Sequence, residues 1–137
     1  MAKIRSHDTK TEVWFRKKLF ACGYRYRTNA ANVPGHPDIY LAKFHTAVFV
    51  HGCFWHRHSG CKYAYTPKSR VDFWQKKFQA NMDRDVIVQQ TLYERGIKTL
   101  VIWECTIRRM KRSVVEEAAV LGKVESFLHS DTLWAEL

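Results

Sequence analysis

The first helical segment is marked by polar residues at its start and by apolar residues that recur along one face. Thr9 and Glu12 have the spacing of a capping box, which predicts that a helix begins there and ends before Gly23. In this role Glu12 bonds the backbone at the start of the helix. The apolar residues fall on one side, which is expected to pack against the core: Phe15, Leu19 and Cys22.

Short apolar segments separated by turn-forming residues predict the first strands. Residues 24–27 alternate between aromatic and basic side chains, as a short strand does. The segment 34–37 contains proline and glycine and predicts a turn that leads into a strand over 38–42. A tight turn over 43–45 returns the chain as 46–50, which is apolar almost throughout. That composition predicts a central strand buried on both faces.

The second half of the chain alternates long helical segments with one strongly apolar strand. A helix is predicted over about 69–96, and a strand follows over 97–103. Ser113 and Glu116 repeat the capping-box spacing and predict a last helix over about 113–129. A strand–helix–strand step usually makes a right-handed crossover, so the second buried strand is expected to run parallel to a neighbour. The pattern predicts an α/β fold, a mixed central sheet with helices on both faces.

The composition indicates a basic globular protein. A single domain is predicted over 1–137, because this length suffices for one core and no repeat or linker interrupts it. No apolar run reaches membrane-spanning length and no secretory signal pattern opens the chain, so the cytoplasm is the expected location. The formal net charge of +10 favours a polyanionic partner, with nucleic acid ahead of a membrane. A merely basic domain is the alternative that charge alone leaves open.

Residue types that bind zinc are concentrated just after the first buried strand. Cys53, His56, His58 and Cys61 lie within nine residues, and Cys105 comes after the second buried strand. Zinc prefers thiolate and imidazole ligands, and a structural site is closed by four of them. There are more candidates than four positions need, so one of the two histidines is expected to serve another task. The alternative is that the buried cysteines are free thiols beside inert surface histidines.

A second set of residues has the layout of a metal-dependent nuclease. Pro37 and Asp38 begin one strand, and a turn leads to a second strand that ends in His51. This layout resembles the PD-(D/E)xK restriction-endonuclease-like superfamily, whose acidic and basic groups gather at one edge of a sheet. The resemblance implies that Asp38 ligates Mg²⁺, which prefers carboxylate oxygen and polarises the scissile phosphate. His51 stands where that superfamily carries lysine, as a general base or transition-state donor.

Six separated sequence blocks extend the resemblance to one family. Together they are similar to the very short patch repair (T:G mismatch) DNA endonucleases. The similarity runs from the N-terminus to about residue 109, and one departure is Arg57, in a loop that is often richer in histidine. The blocks, in chain order, are 4–12, 34–38, 51–61, 71–74, 81–85 and 101–105.

The resemblance implies a role for each member of the two residue sets. Asp38 binds the catalytic magnesium with help from the main-chain carbonyl of Val50, while His51 and His56 match two catalytic histidines. Glu12 matches an active-site acid, a role that competes with the capping box, although a helix N-terminus at the site would satisfy both. Zinc then falls to the remaining ligands: Cys53, His58, Cys61 and Cys105.

Aromatic residues next to the zinc ligands suggest a means of sensing weakened base stacking. Phe54 and Trp55 are adjacent in the loop, and Trp74 begins the long helix. A flat side chain can enter a base step, and a mismatch lowers the cost of unstacking. The resemblance likewise assigns these three residues to insertion beside the T:G pair. Core packing is the alternative, and it is the expected role of Phe73 and Trp103.

These inferences converge on a magnesium-dependent endonuclease with a structural zinc. Its expected substrate is double-stranded DNA with a T:G mismatch left by deamination of 5-methylcytosine, nicked on one strand to initiate very short patch repair. A monomer at the bacterial nucleoid is expected, linked in function to a cytosine-5 DNA methyltransferase and to mismatch-repair proteins. Two alternatives remain: a zinc-stabilised mismatch-binding module without cleavage, and a related nuclease with a different DNA target.

Overall fold

The computed structural model describes residues 9–137, so the start of the first sequence block, 4–8, lies outside the described residues. This part of the chain contains both helices and strands. No helix among the described residues is long and apolar enough to cross a membrane. The elements are α1 Lys10–Ala21, β1 Arg27–Thr28, β2 Ile39–Leu41, β3 Thr46–His51, α2 Val71–Glu94, β4 Lys98–Trp103, α3 Glu104–Arg112, α4 Val114–Leu128 and β5 Trp134–Glu136.

The strands form one mixed sheet in the order β1-β2-β3-β4-β5. The pairs β1–β2 and β2–β3 are antiparallel, whereas β3–β4 and β4–β5 are parallel. The crossover from β3 to β4 runs through α2, as a parallel pair requires. The predicted mixed α/β architecture is therefore confirmed, with β3 in the centre of the sheet.

Alternation along the strands divides the apolar residues between the two faces of the sheet. One face, with Ile39, Val48 and Leu100, packs against α1, α3 and α4. The other face, with Tyr40 and Ala47, packs against α2. Successive side chains of a strand point to opposite sides, so a single strand contributes to both layers. Helices therefore cover both faces, as the pattern of the sequence predicts.

The predicted first helix forms, but one of its three apolar residues is not in the core. Thr9 and Glu12 make the capping box, and Phe15 and Leu19 are completely buried. The prediction for Cys22 was wrong, because this residue is exposed. The helix ends at Ala21 and Cys22 is its C-cap, so its side chain lies beyond the last turn that packs on the sheet.

Most of the first predicted strand does not form, because part of this segment packs against α1 instead. Strand β1 contains only Arg27 and Thr28 rather than the whole of 24–27. Tyr26 instead contacts the helical layer and donates a hydrogen bond of 2.9 Å from its hydroxyl to the carbonyl of Arg16. The aromatic side chains of this segment are thus used to cover the core and not to extend the sheet.

Two elements near the C-terminus were not predicted. Helix α3 begins directly after β4 without a connecting loop, so Cys105 lies in the first turn of a helix and not in a loop after the strand. Strand β5 adds three residues parallel to β4 at the sheet edge. Of the two aromatic residues expected in the core, Trp103 is buried, whereas Phe73 is 45% exposed.

Candidate active site and metal centre

The parallel pairing of β3 and β4 brings two chemically active segments to one edge of the sheet. His51, the last residue of β3, pairs in register with Trp103, the last residue of β4. The carboxyl ends of parallel strands meet at the same edge, so the loop after β3 and the helix after β4 start side by side. Asp38 lies just before β2, the strand that pairs with β3 on its other side.

Two acidic side chains lie together beneath this edge. Asp38 Oδ2 accepts a hydrogen bond of 2.7 Å from the backbone N–H of Val50. Glu12 is 2% exposed, and its Oε2 accepts a hydrogen bond of 3.3 Å from the N–H of Thr9. Glu12 therefore caps α1 and also stands beside Asp38, so the geometry of both suggested roles is present in one residue.

The electrostatics of this acidic pair match the donor set of a hard cation. Burial, followed by the neighbouring charge of Glu12, raises the pKa of Asp38 to about 7. Glu12 Oε1 is buried and meets no hydrogen-bond donor among residues 9–137. Carboxylate oxygens held close together without a compensating charge are suited to a divalent cation such as Mg²⁺. The residues present thus fit the metal that the sequence led us to expect.

Two histidines form a stacked pair next to the acidic residues. The ring centroids of His51 and His56 are 3.8 Å apart and their planes differ by 4°. Burial, followed by the proximity of His56, lowers the pKa of His51 to about 3, so His51 is neutral. His56 Nδ1 lies 2.7 Å from Asp85 Oδ2 on α2. A carboxylate in this position orients the imidazole ring and favours one tautomer.

Asp85 was not assigned a role from the sequence, although its block was recognised. A helical projection places Asn81 and Asp85 four residues apart on one face of α2, but it does not show that this face meets the loop. Asn81 Nδ2 donates a hydrogen bond of 3.2 Å to the carbonyl of Trp55. Neighbouring turns of α2 therefore fix both the loop and one of its histidines.

Asp38 and the two histidines open into a cleft of about 280 Å³, and Glu12 lies beside Asp38. Asp38, His51, His56 and Asp85 line it, and so does His36 from the turn before β2. The turn that contains Gly35 packs closely on α2: a Cβ at this position would lie 2.4 Å from Val88 Cγ1, and its φ is +82°. Glycine is required there, because both the space and the backbone conformation exclude other residues.

A second cluster, on the other side of the loop, could hold a metal. The ligand atoms of Cys53, His58, Cys61 and Cys105 all lie within 4.8 Å of one another. Tetrahedral zinc ligands lie roughly 3.3–3.8 Å apart, so small adjustments would close the site. Burial raises the pKa of Cys53 to about 12, as expected for a thiol whose anion lacks a compensating cation. The structure brings together the four residues that the sequence suggested for zinc and leaves His56 outside them.

The aromatic side chains of the loop form a half-buried cluster against the start of α2. Phe54 contacts Trp55 and Trp74, with ring centroids 5.1 and 5.5 Å apart. Phe78, which is 2% exposed, lies beneath them. The cluster thus combines the buried ring of Phe78 with the partly exposed rings of Phe54, Trp55 and Trp74. Core packing therefore accounts fully only for Phe78.

Arg57 holds this loop in place, although the sequence indicated it only as a departure. Its guanidinium lies 3.9 Å from the centroid of the Phe78 ring. It also donates hydrogen bonds to the carbonyls of Phe54, Ala64 and Tyr65 at 3.3, 2.8 and 2.9 Å. One cation therefore satisfies several backbone acceptors that the irregular loop leaves unpaired.

Comparisons with known proteins reveal relatives that are similar over three quarters or more of the chain. Residues 1–62 match the model of a family described as DNA mismatch endonuclease Vsr. The type II nicking enzyme V.NmeAIP of Neisseria meningitidis is 47% identical over 79% of this chain and 76% of its own length. The type II nicking enzyme V.XorIIP of Xanthomonas oryzae is 40% identical over 78% of each chain. The DNA mismatch endonuclease Vsr of Escherichia coli is 31% identical over 100% of this chain and 86% of its own length.

We expect the cluster of three cysteines and one histidine to bind about one equivalent of zinc per chain. Replacing Cys61 or Cys105 by serine removes a soft ligand, so each variant should lose the metal and much of its thermal stability. Cys22→Ser is the matched control, since Cys22 is exposed and outside the cluster. Elemental analysis and thermal unfolding of the purified variants measure both effects. A metal-free protein with unchanged thermal stability would contradict the prediction.

Proposed function

The chain belongs to the Vsr family of DNA mismatch endonucleases, and we propose that it nicks one strand beside the thymine of a T:G mismatch. The cleavage would depend on magnesium and begin very short patch repair after deamination of 5-methylcytosine. The observation that carries this proposal is Asp38, which has Glu12 beside it and lines one cleft with the stacked pair of His51 and His56.

In this proposal Asp38, Glu12 and the main-chain carbonyl of Val50 hold the magnesium ion. When bound, the ion supplies the charge that polarises the scissile phosphate and makes water a stronger acid. The Val50 N–H already fixes one oxygen of Asp38, which leaves its other oxygen for the cation. Glu12 is held by the helix start, so neither carboxylate needs to reorganise when a cation binds.

The histidines would manage the protons of the reaction. Because Asp85 accepts from Nδ1 of His56, Nε2 of that ring carries the lone pair that takes up a proton. His51 stays neutral in its buried position, so its N–H can donate a hydrogen bond to a phosphate oxygen without carrying a charge. His51 and His56 are stacked, which keeps both rings at a fixed distance from the cleft.

The mismatch would be recognised through the aromatic cluster, with the zinc site as its scaffold. Phe54 and Trp55 lie between the proposed zinc ligands Cys53 and His58 in the sequence. The metal would therefore hold these two rings, the mismatch wedge, in a fixed position. Insertion of a large ring beside a T:G pair exploits the weaker stacking of a mismatch. Trp74 on α2 braces Trp55, at a centroid distance of 5.8 Å.

The setting of this activity is inferred from its substrate. We propose that residues 1–137 form one domain of restriction-endonuclease-like fold that binds DNA as a monomer. It would act in the cytoplasm at the bacterial nucleoid, together with a cytosine-5 DNA methyltransferase and mismatch-repair proteins. The net charge of +10 supports association with a polyanion.

A second candidate function is nicking at a different DNA target. Two relatives are named as type II nicking enzymes, and their names do not mention a mismatch. This observation favours the second candidate. A panel of labelled duplexes with T:G, other mismatches and G:C pairs, in several sequence contexts, separates the two candidates. Preferential nicking of T:G duplexes supports mismatch repair, and equal nicking of a matched duplex supports the alternative.

Asp38→Ala should abolish nicking while leaving mismatch binding nearly intact. Loss of a metal ligand removes several kcal/mol of transition-state stabilisation, so the rate should fall at least about 100-fold. A single-turnover assay on a labelled T:G duplex measures the rate, and a gel-shift assay measures the binding. Asp131→Asn, in the exposed turn before β5, is the control and should cut normally. Normal cutting by Asp38→Ala would refute the metal assignment.

The magnesium requirement should rise as the pH falls through about 7. The raised pKa of Asp38 means that a proton competes with the cation in this range. The concentration of magnesium that gives half-maximal nicking should increase by up to roughly tenfold per pH unit, the limit for one competing proton. Titrations at pH 6, 7 and 8 measure it, and saturating magnesium should flatten the profile. A requirement independent of pH would show that Asp38 is ionised without the metal.

Trp55→Ala should reduce discrimination between T:G and matched duplexes more than it reduces general DNA affinity. Loss of stacking on one base costs about 1–3 kcal/mol, so discrimination should fall roughly tenfold or more. Competition binding on the two duplexes measures this ratio. Tyr93→Ala is the control, because Tyr93 is 65% exposed at the other end of α2. If Trp55→Ala weakens binding to both duplexes equally, its ring is not a mismatch sensor.

A further inference from the structure

One cationic side chain lines the cleft that contains Asp38. Arg84 is exposed on α2, next to the Asp85 that bonds His56. Among the described residues that line this cleft, Arg84 is the only lysine or arginine. The other charged groups on the same lining are the carboxyls of Asp38 and Asp85. A polyanionic substrate entering here therefore meets acidic groups and a single guanidinium.

The surroundings of Arg84 leave its charge unpaired. On a helix, side chains three and four residues apart are neighbours, and positions 80, 81, 87 and 88 hold no acidic residue. The two adjacent acids are already engaged: Asp85 with His56 at 2.7 Å, and Asp83 with Gln79 at 2.8 Å. Within residues 9–137, Arg84 forms no ion pair or hydrogen bond.

This freedom is unusual among the arginines of the site region. Arg57 is held by backbone carbonyls of its loop, and Arg108 forms a two-point contact with Glu104 at 3.1 and 2.6 Å. Those two arginines have structural partners within the chain. Arg84 lines the cleft and has no such partner among the described residues. This arrangement is expected of a side chain whose partner is the substrate.

We propose that Arg84 is a catalytic residue that binds the nonbridging oxygens of the scissile phosphate in the cleft. This assignment rests on the proposed nuclease function. A guanidinium presents paired N–H donors that match two oxygens of a phosphate, and it stays charged at every relevant pH. Its charge offsets the repulsion between the phosphate and the carboxyls of Asp38 and Asp85. It also stabilises the negative charge that grows on the phosphate oxygens during hydrolysis.

The position of Arg84 on α2 links it to the other residues of the reaction. Asp85, one residue later, orients His56, and Asn81, one turn earlier, holds the loop at the carbonyl of Trp55. One rigid helix thus sets the spacing between the phosphate ligand, the proton acceptor and the mismatch wedge. Phosphate contacts of this kind set the register of a protein on DNA, while the wedge reads the mismatch.

The test compares Arg84→Ala and Arg84→Lys with Arg95→Ala on a T:G duplex. Arg95 is exposed at the C-cap of the same helix, about 16 Å along the helix axis from Arg84. Its replacement by alanine removes the same net charge at a site away from the cleft. We expect the single-turnover rate of Arg84→Ala to fall about 100-fold, the cost of one donor to a developing anion. Arg84→Lys should recover only part of the rate, because a lysine lacks the paired donors. Arg95→Ala should nick at nearly the normal rate.

A modified substrate identifies the phosphate that Arg84 contacts. Replacing the scissile phosphate by an uncharged methylphosphonate should weaken binding of the unaltered protein about tenfold, the value of a charge-assisted contact. In Arg84→Ala the same replacement should weaken binding much less, since the contact with Arg84 is already lost. A methylphosphonate several nucleotides away is the control and should weaken both proteins equally.

The outcomes separate this inference from the proposed function. Failure of the unaltered protein to nick any duplex would overturn the proposed nuclease. Normal nicking by Arg84→Ala, in a protein that cuts T:G duplexes, would overturn the role of Arg84 alone. Equal sensitivity of both proteins to the scissile methylphosphonate would likewise show that Arg84 does not bind that phosphate.

Discussion

The arrangement of the site depends on the parallel hydrogen-bonded pairing of β3 and β4. Six residue pairs run from Thr46 opposite Lys98 to His51 opposite Trp103, so both strands end at the same level. The segments that leave the two strands must then begin at one edge, which places the loop with Cys53 beside the helix with Cys105. A shift of one residue would turn every side chain of β3 to the opposite face and separate these groups. The apolar layers on both sides of the sheet fix the register against such a shift.

Electrostatics then determine what this edge can bind. The protein carries a net charge of +10, yet Asp38 and Asp85 line its cleft and the buried Glu12 lies beside Asp38. In a poorly solvated site, like charges repel strongly and the pKa of one carboxyl rises. The neutral state of His51 means that this residue does not relieve the repulsion. A divalent cation relieves it directly, and the basic outer surface attracts the polyanion that completes the site.

The sequence was most informative where one physical signal dominated a segment. The capping box at Thr9 and the apolar strand over 46–50 identified elements that the structure contains, within a residue or two. Helix α3 was missed because its charged residues outnumber its apolar ones and no cap separates it from β4. Cys22 was misplaced because a helical projection does not show where the helix ends. Asp85 was missed because its partner His56 is 29 residues away in sequence, and only the crossover through α2 brings them together.

Trp103 joins the cluster of three cysteines and His58 to the pair of His51 and His56. Its indole stacks on His58 at a centroid distance of 4.1 Å and meets the edge of His51 at 5.3 Å. Its Nε1–H donates a hydrogen bond of 2.7 Å to Glu136 on β5, which fixes the ring from the other side. A rigid ring with contacts on several sides transmits small displacements, because a packed interior has few voids to absorb them. Movement of His58 would therefore shift His51, so a metal held by this cluster would support the proposed catalysis through geometry although none of the four residues lines the cleft that holds Asp38.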